Sequence, residues 1–357
     1  MTENIALQEN IQLAPLTTMQ VGGAARFFIE ARTEDEIIRA LDFAKARSLP
    51  VFILGGGSNL LVSDAGFKGL VIKIALQGIE FRQTETDVFV TSAAGEDWDE
   101  FVEICVEQNL AGIECLSGIP GTVGATPVQN VGAYGQEVAE TIVSVLVLDR
   151  ADSEIKNLTN PECGFAYRTS IFNTTAKNHF IVLTVTFKLK LNGEPTVRYA
   201  DLQRLLAGKP NRSLREVRAA VLQIRAAKSM IILPTDENRR SAGSFFKNPV
   251  VNSEHFVAIK DTAQRLGLIN GSDDVPHFGA GIGNLKIPAA WLIEKSGFNK
   301  GFERGRVGIS TNHTLALINR GDATASEIVK FAAEIQAQVK KVFAVELQPE
   351  PIWLGFD

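Results

Sequence analysis

The chain has 357 residues, of which 45% are hydrophobic and 22% are charged, and its formal net charge at pH 7 is −5. This composition is typical of a soluble globular protein with two or three domains, and the acidic balance argues against a general nucleic-acid surface, which needs a basic field. Because the cysteines fit no disulfide framework, and because neither a signal peptide nor an apolar run of roughly 20 residues is present, we expect a cytoplasmic protein without membrane insertion.

The first part of the chain alternates strand and helix patterns. Thr33 and Glu36 form a capping box ahead of apolar residues at helical spacing, and Asp97 with Glu100 opens a second helix that ends near residue 109. Short apolar runs before and between these helices predict strands at residues 26–31, 51–54, 70–74 and 88–93.

The region 110–140 has almost no periodicity and is rich in glycine. This composition predicts tight turns, or a chain shaped for close approach to a ligand. Strands resume at residues 142–149 and at 180–190, where apolar residues alternate along one face. A polar, turn-rich insert follows at residues 191–210.

The last third of the chain has helix and strand patterns of its own. A helix with a capping box at Ser213 follows the insert and ends near Lys228. Residues 245–343 predict a separate unit, whose last helix begins at Thr324. The final stretch, residues 345–355, is strand-like.

Two glycine-rich turns are candidates for holding a nucleotide. Residues 55–59 (GGGSN) follow a strand, where successive N–H groups can converge on a phosphate and glycine permits close approach. Residues 119–125 (IPGTVGA) form a second turn, anchored by a proline. Neither turn is a P-loop or a Rossmann fingerprint, and the first alone is equally well explained as a structural turn. Together they favour a flavin or another nucleotide.

Arg168 ends the sequence CGFAYR, just before the alternating strand. Arginine binds carboxylates through two parallel hydrogen bonds, and the aromatic and small residues before Arg168 suggest a partly buried setting. The alternative is an arginine in a surface salt bridge, which is the more common role of this residue type.

Residues 243–249 (GSFFKNP) combine a hydroxyl, two aromatic rings, a cation, an amide and a proline without an amphipathic period. Such a set is costly in a core, because serine, lysine and asparagine resist burial without partners. It suits a site in which Ser244 donates a proton to a strongly basic carbanion. A serine that caps a helix is the alternative. Because the sequence has no G-x-S-x-G motif, a Ser-His-Asp hydrolase is not expected.

Three further side chains are candidates. Glu350 lies between two prolines, which present its carboxylate on a stiff segment, although an exposed loop glutamate has the same pattern. Lys228 ends a cationic helix, most of whose charge we interpret as a solvated face. Lys228 and Tyr199 suit a diphosphate, because both side chains can donate to phosphate oxygens.

The motifs IPGTVGA at residues 119–125, CGFAYR at 163–168 and GSFFKNP at 243–249 together resemble those of the UDP-N-acetylenolpyruvoylglucosamine reductase family, also called UDP-N-acetylmuramate dehydrogenases. The resemblance runs in the family's order from TTMQVGG at 17–23 to Glu350. It implies an α+β protein: an FAD-binding fold of the vanillyl-alcohol-oxidase type with two α/β subdomains, plus a smaller α+β substrate-binding domain.

The resemblance also implies the domain boundaries. It places the first FAD-binding subdomain at residues 1–75, to which residues 345–357 return, and the second at residues 76–228 with the insert at 191–210. The substrate-binding domain comprises residues 229–344. The insert resembles the longer of the family's two subtypes, in which a tyrosine loop closes over the substrate.

The reaction follows from the resemblance as well. NADPH reduces a non-covalently bound FAD, and the reduced flavin passes a hydride to UDP-N-acetylglucosamine enolpyruvate, which gives UDP-N-acetylmuramate for peptidoglycan synthesis. No separate nicotinamide motif is visible, in agreement with two substrates that use one cleft in turn. We expect a monomer. The implied flavin-binding residues are Gly55, Gly56, Gly57, Ser58, Asn59, Ile119, Pro120, Gly121, Gly124 and Ala125.

By matching positions, the implied catalytic residues are Arg168, Ser244 and Glu350. Arg168 polarises the substrate carboxylate and, with Glu350, stabilises an enolate-like intermediate, while Ser244 protonates C2. The stretch between Lys228 and Ser244 is longer than the family pattern. The implied substrate-binding residues are Tyr167, Tyr199, Lys228 and Asn248.

Two rival functions remain open on sequence grounds. Oxidases of the same fold often tether FAD through a histidine in the glycine-rich loops, but no histidine occurs before residue 179. A nucleotide-sugar sensor without activity is expected to lack Arg168, Ser244 or Glu350, and all three are present. A yellow protein that releases flavin on heating excludes a flavin-free sensor.

Overall fold

The computed structural model describes residues 6–208, 212–270 and 274–356. Residues 1–5 of the predicted first subdomain, residues 209 and 210 of the predicted insert and residue 357 of the predicted C-terminal return lie outside the described residues. The α-helices are α1 (Glu34–Ala46), α2 (Trp98–Glu107), α3 (Ala200–Leu205), α4 (Leu214–Ala227), α5 (Ser253–Arg265), α6 (Ala289–Lys295) and α7 (Ala325–Phe343).

The strands after residue 191 have only two or three residues each. In chain order they are β1 (Gln8–Gln12), β2 (Ala24–Ala31), β3 (Val51–Leu54), β4 (Leu60–Val62), β5 (Phe67–Ile74), β6 (Ile79–Gln83), β7 (Asp87–Ala93), β8 (Leu110–Ala111), β9 (Gly132–Ala133), β10 (Gln136–Glu137), β11 (Ile142–Asp149), β12 (Ile155–Thr159), β13 (Phe180–Leu191), β14 (Val250–Asn252), β15 (Phe278–Gly279), β16 (Asn284–Lys286), β17 (Glu303–Arg304), β18 (Val307–Ile309), β19 (Leu317–Asn319) and β20 (Ile352–Leu354).

The first compact unit consists of the described residues of 1–11, 25–57 and 68–231. Its larger sheet has the strand order β12-β11-β13-β7-β6, and β8 also pairs with β13. A second sheet has the order β1-β2-β5-β3, in which β3 and β5 are parallel. The central strand β13 alternates as the sequence predicts, and its buried face carries Ile181, Leu183, Val185, Phe187 and Leu189.

The helices of both units begin where the capping residues predict. Thr33, Ser213 and Thr324 each accept a hydrogen bond from the backbone three residues further on and receive the reciprocal bond of a capping box. In α2 the Asp97 carboxylate accepts from the N–H groups of Asp99 and Glu100. These boundaries are predictable from sequence because a cap is made by residues within one turn of each other.

The second compact unit consists of the described residues of 12–24, 58–67 and 232–357. It contains the sheets β14-β16-β15 and β17-β18-β19 and the parallel pair β20-β4. Its core packs around α7, whose predicted apolar stripe is buried at Ile328, Phe331, Ile335 and Val339. The helical spacing of these residues therefore identified the face that packs on the core.

The predicted strand-like stretch at residues 345–355 is a strand only at β20. Pro349 and Pro351 each lack a backbone N–H, so the chain before β20 cannot form a continuous hydrogen-bonded ladder. Contacts divide the chain into two units, and the three-part domain division implied by the family resemblance stays a prediction.

Candidate active site

The two predicted glycine-rich turns lie against each other in the first unit. A Cβ atom on Gly56, which follows β3, would lie 2.6 Å from the Cα of Gly121. A Cβ atom on Gly55 would lie 3.0 Å from the hydroxyl oxygen of Thr122. Because the backbone of Gly121 cannot yield as a flexible side chain does, Gly56 must be glycine for the turns to touch. The structure therefore brings the two predicted turns together.

The second glycine-rich turn is held by the chain that precedes α2. The N–H groups of Val123 and Gly124 donate to the carbonyls of Glu96 and Ala94 at 2.9 and 3.0 Å. A Cβ atom on Gly124 would lie 2.4 Å from the Cβ of Ala94. The shape of this turn is thus fixed by the protein's own backbone, which is the preorganisation that a cofactor loop needs.

The end of the first glycine-rich motif lies in the second unit. The carbonyl of Ser58 accepts from the Thr18 hydroxyl at 3.3 Å, and the Asn59 Nδ2 donates to the carbonyl of Glu350 at 3.3 Å. The carbonyl of Asn59 also accepts from the N–H of Ile352 at 2.9 Å. Asn59 therefore holds residues 349–352, which we call the Glu350 segment. The sequence did not predict this contact.

Arg168 lies at the tip of a two-residue turn in the first unit. Ala166 and Thr169 exchange both backbone hydrogen bonds, at 2.9 and 3.1 Å, which leaves Tyr167 and Arg168 between them. Arg168 has a φ of 53°, in the left-handed region that favours glycine and asparagine. Because this conformation is unfavourable for a half-buried arginine, it marks Arg168 as a functional candidate.

Two buried polar residues hold the Arg168 turn and the residue that follows it through hydrogen bonds. Asn130, which is 2% exposed, donates from Nδ2 to the carbonyl of Ala166 at 3.1 Å and to the Glu137 carboxylate at 2.8 Å. The buried Ser170 hydroxyl donates to the carbonyl of Val128 at 2.7 Å. Sequence patterns missed both residues, because their burial depends on partners far away in the chain.

Lys228 and Tyr199 belong to one cluster of the first unit. The Lys228 Nζ donates to the Asp201 carboxylate at 3.0 Å, and the rings of Tyr199 and Tyr134 meet edge to face with centroids 5.4 Å apart. The Tyr134 hydroxyl hydrogen-bonds Arg225. Burial raises the pKa of Tyr134, and the cations of Arg225 and Lys228 oppose this shift. The two predicted diphosphate-binding residues are therefore gathered around Tyr134.

The interpretation of the cationic helix as a solvated face is wrong for two arginines of α4. Arg218 is 8% exposed and pairs with both carboxylate oxygens of Asp99. Arg225 is 5% exposed, donates to the carbonyl of Met230 at 2.8 Å, and has its pKa lowered by burial. Within the described residues its Nε has no hydrogen-bond partner, and a Cβ on Gly118 would lie 3.2 Å from this Nε. A buried, unpaired guanidinium N–H suits an anionic or hydrogen-bond-accepting ligand.

Arg225 is the functional candidate that sequence reasoning missed. Arg225 and Lys228 are three residues apart, a spacing that places two side chains on the same face of a helix. This spacing is the sequence signal that could have identified Arg225. The interpretation of the charge as solvated failed for Arg225 because charge alone does not show which face of α4 is buried.

Ser244 and Glu350 are brought together in the second unit by backbone pairing. The Glu350 N–H donates to the carbonyl of Phe245 at 2.9 Å, and Phe246 forms an antiparallel bridge with Pro349. Both predicted catalytic side chains are half-buried. Residues 245–252 contain no helix, and the next helix, α5, is capped by Asn252, which excludes the alternative that Ser244 is a helix cap.

The two phenylalanines of this motif anchor the Ser244 segment. Phe245 and Phe246 are 0% and 1% exposed, and their rings meet edge to face with centroids 5.2 Å apart. The Phe245 N–H also donates to the carbonyl of Leu315 at 2.7 Å. The apolar residues of the motif thus belong to the core, and the polar residues beside them are presented from a rigid backbone.

Asn248 has a structural contact as well as its predicted role. Its Oδ1 accepts from the N–H of Ala289, the first residue of α6, at 2.8 Å. The carboxamide is therefore held in one orientation, with Nδ2 as its hydrogen-bond donor. Substrate binding by Asn248 stays a prediction.

The cysteines lie outside this chemistry. Cys105, Cys115 and Cys163 are free and buried, and burial raises their pKa values, to about 11 for Cys163. The described part of the chain contains no group of three or more histidine, cysteine or acidic side chains that could hold a metal ion. Within residues 6–208, 212–270 and 274–356, no helix has the length and apolar character required to cross a membrane.

Comparisons with known proteins decide the family. Residues 25–159 match the FAD-binding domain family, and residues 234–354 match the C-terminal domain of UDP-N-acetylenolpyruvoylglucosamine reductase. The chain is 44% identical to the UDP-N-acetylenolpyruvoylglucosamine reductase of Thermobifida fusca, over 97% of this chain and 97% of that protein. The chain belongs to the UDP-N-acetylenolpyruvoylglucosamine reductase family.

Further relatives agree with this membership. The reductase of Streptomyces coelicolor is 44% identical over 96% of this chain and 89% of its own length. The crystal structure of the Thermus caldophilus reductase is 25% identical, covers 98% of this chain and 99% of its own, and superimposes with a TM-score of 0.66. The predicted family, the α+β fold with its FAD-binding part, the FAD cofactor and the flavin oxidoreductase class are confirmed.

Proposed function

We propose that the protein catalyses the NADPH-dependent reduction of UDP-N-acetylglucosamine enolpyruvate to UDP-N-acetylmuramate, a step in peptidoglycan precursor synthesis. The observation that carries this proposal is the pairing of the Ser244 segment with the Glu350 segment, within the part that matches the family's C-terminal domain. The pairing supplies a hydroxyl and a carboxyl group on adjacent, rigid backbone. These groups suit a reduction that ends with proton transfer to carbon.

The residues of the first unit fit FAD. Gly56 and Gly121 let the two glycine-rich turns pack against each other, and the unpaired Nε of Arg225 provides a buried cation beside Gly118. FAD held by these residues would supply hydride transfer from NADPH to C3 of the enolpyruvyl group. We assign FAD binding to Gly55, Gly56, Gly57, Ser58, Asn59, Ile119, Pro120, Gly121, Gly124 and Ala125.

The catalytic residues supply charge stabilisation and a proton. Arg168 pairs with the substrate carboxylate and draws electron density from the double bond. Glu350, together with Arg168, stabilises the enolate-like intermediate. Ser244 then donates its hydroxyl proton to C2, a step that a weak acid can perform because the carbanion is strongly basic.

The remaining assigned residues bind the substrate. Tyr199 and Lys228 donate to the diphosphate, Asn248 binds the diphosphate or sugar through Nδ2, and the exposed Tyr167 covers the substrate beside Arg168. NADPH uses the same binding cleft before the substrate, so the two half-reactions can be measured separately. We further propose that the protein is cytoplasmic and monomeric. Light scattering of the purified protein tests whether it is a monomer.

Anaerobic spectroscopy tests the proposed reaction. NADPH is added to the purified yellow protein until the flavin absorbance is bleached, and UDP-N-acetylglucosamine enolpyruvate is then added. Return of the flavin absorbance with formation of UDP-N-acetylmuramate is the expected result. Bleaching without recovery would contradict the assignment of UDP-N-acetylglucosamine enolpyruvate as the acceptor. The conclusion that the protein is a flavoprotein would still stand. Flavin that resists release by heat denaturation would instead favour an oxidase with covalent FAD.

We expect Gly56→Ala to abolish stable FAD binding. The new Cβ would lie 2.6 Å from the Gly121 backbone, so the two glycine-rich turns must separate. The measurement is the flavin-to-protein absorbance ratio after gel filtration. Gly279→Ala is the control, because Gly279 has no positive φ and a Cβ there meets nothing within 4 Å. A Gly56→Ala protein with full flavin content would remove this turn contact from the FAD site.

A further inference from the structure

Glu114 carries a carboxylate in a place that the proposed reaction does not explain. It is 0% exposed and lies in the short 3₁₀ helix Glu114–Leu116 of the first unit. Its Oε2 accepts from the N–H of Gly112 at 2.8 Å, and its Oε1 accepts from Gln136 Nε2 at 2.9 Å and from the N–H of Thr196 at 2.7 Å. Burying a carboxylate is costly, so its hydrogen bonds to three N–H donors must be maintained for it to remain stable there.

The backbone carbonyl of Thr196 also has a hydrogen-bond partner. The Cys115 Sγ donates to the carbonyl of Thr196 at 3.0 Å, and the N–H of Cys115 donates to the Oε1 of Gln136 at 2.7 Å. Both polar groups of the Thr196 backbone are therefore held directly by the Glu114 helix, the N–H by Glu114 and the carbonyl by Cys115. Gln136 in turn hydrogen-bonds both of these residues. We call Glu114, Cys115, Gln136 and Thr196 the insert clamp.

The segment that leaves the insert clamp carries the assigned diphosphate-binding residues. Tyr199 follows Thr196 by three positions and is the N-cap residue of α3, in which Asp201 accepts a hydrogen bond from the Lys228 Nζ at 3.0 Å. The Tyr199 ring, 42% exposed, rests on Tyr134. Because only two residues separate Thr196 from Tyr199, the position of the Tyr199 hydroxyl depends on the position of Thr196.

The same helix reaches the second glycine-rich turn from its other end. The Ser117 hydroxyl donates to the carbonyl of Glu114 at 2.7 Å, and the N–H of Gly118 donates to the Asp99 carboxylate at 2.5 Å. One rigid element thus joins the base of the insert to the turn assigned to the flavin. An element shared by the two sites keeps the substrate-binding loop at a constant position relative to the cofactor.

We propose that Glu114 is a positioning residue for substrate binding, which holds the base of the insert through Thr196 and so sets the position of Tyr199. This inference rests on the proposed function, because it takes Tyr199 as a ligand of the substrate diphosphate. Glu114 does not itself touch the substrate. The carboxylate is required rather than a carboxamide, since all three of its partners are N–H donors and a glutamine would place an NH₂ group against one of them.

Glu114→Gln is expected to raise the KM for UDP-N-acetylglucosamine enolpyruvate about tenfold, the effect of one lost hydrogen bond to a buried charged acceptor. The flavin content and the rate of flavin reduction by NADPH should stay at wild-type values. Hydrogen exchange at the Thr196 amide, measured without substrate, should become at least about tenfold faster. Glu140→Gln is the matched control, because Glu140 pairs with Arg198 of the insert through an exposed 3.6 Å ion pair, which contributes little to stability.

A double-mutant cycle with Tyr199→Phe separates positioning from general destabilisation. If Glu114 acts through Tyr199, the KM increase caused by Glu114→Gln should shrink to less than about threefold in the Tyr199→Phe background. A tenfold increase in both backgrounds would overturn the proposal. So would an unchanged KM together with faster amide exchange, which would make Glu114 a purely structural residue.

Cys115→Ala provides a second test if Glu114→Gln does not fold. It deletes only the thiol donor to the Thr196 carbonyl, and we expect a smaller KM increase, about threefold, with normal flavin reduction. An unchanged KM in a folded Cys115→Ala protein would contradict the insert clamp. Failure of the wild-type protein to turn over the substrate would contradict the proposed function, whereas the amide-exchange result would still report on the clamp.

Discussion

Replacing Ser244 by alanine is expected to slow reoxidation of the reduced flavin by UDP-N-acetylglucosamine enolpyruvate by about 10²–10⁴-fold, the range of a lost general acid. Flavin reduction by NADPH should remain near the wild-type rate, because that half-reaction transfers a hydride and needs no proton at C2. Anaerobic stopped-flow measurement of flavin absorbance gives the two rates separately.

The structure makes this substitution a clean test. Phe245 and Phe246 are buried and paired with the Glu350 segment, so removal of the Ser244 hydroxyl should leave the backbone of the motif in place. Ser253→Ala is the control, since the Ser253 hydroxyl is exposed and donates only to the carbonyl of Gly283. Ser244→Cys should retain part of the activity, because a thiol of similar size is also a proton donor.

Equal slowing of both half-reactions in Ser244→Ala would contradict the proton-donor role. It would indicate that Ser244 supports flavin binding or the geometry of a shared cleft. A reaction in D₂O should place deuterium at C2 of the wild-type product, which tests that the second hydrogen comes from an exchangeable group and not from the flavin.

The features that could be predicted from sequence are those made by neighbouring residues. Capping boxes at Thr33, Ser213 and Thr324 and the alternation along β13 all arise within a few residues, and the structure confirms them. The GSFFKNP motif was recognisable because its polar residues made no sense as core. In the structure its two phenylalanines are core after all, and they anchor the polar residues beside them.

What could not be predicted depends on partners far away in the chain. The cationic pattern of α4 gave no sign that Arg218 would be buried, because its partner Asp99 lies on α2, 119 positions earlier. The burial of Glu114 has the same cause, since Thr196 is 82 positions away. Burial of a charge is decided by tertiary packing, whereas composition reports only the average surface.

Replacing Arg168 by asparagine should separate stability from activity. Arg168 has a φ of 53°, and a side chain other than glycine, asparagine or aspartate is disfavoured there by roughly 1 kcal/mol. We expect Arg168→Asn to keep or raise the free energy of unfolding, by up to about 1 kcal/mol, as measured by urea denaturation. Reoxidation of the flavin by the substrate should fall by about 10²–10³-fold, as for loss of one charge-stabilising donor.

Ser48→Asn is the matched control for the backbone effect. Ser48 follows α1 in the first unit with a φ of 51°, is exposed, and has no assigned role in the reaction. It should gain similar stability and keep both half-reactions, since asparagine is favoured after the end of a helix. Arg168→Lys retains the charge without the planar pair of N–H donors, so it should recover little of the lost rate if bidentate binding of the carboxylate is what matters. Full activity in Arg168→Asn would remove Arg168 from the site, and its left-handed conformation would then be a feature of the turn alone.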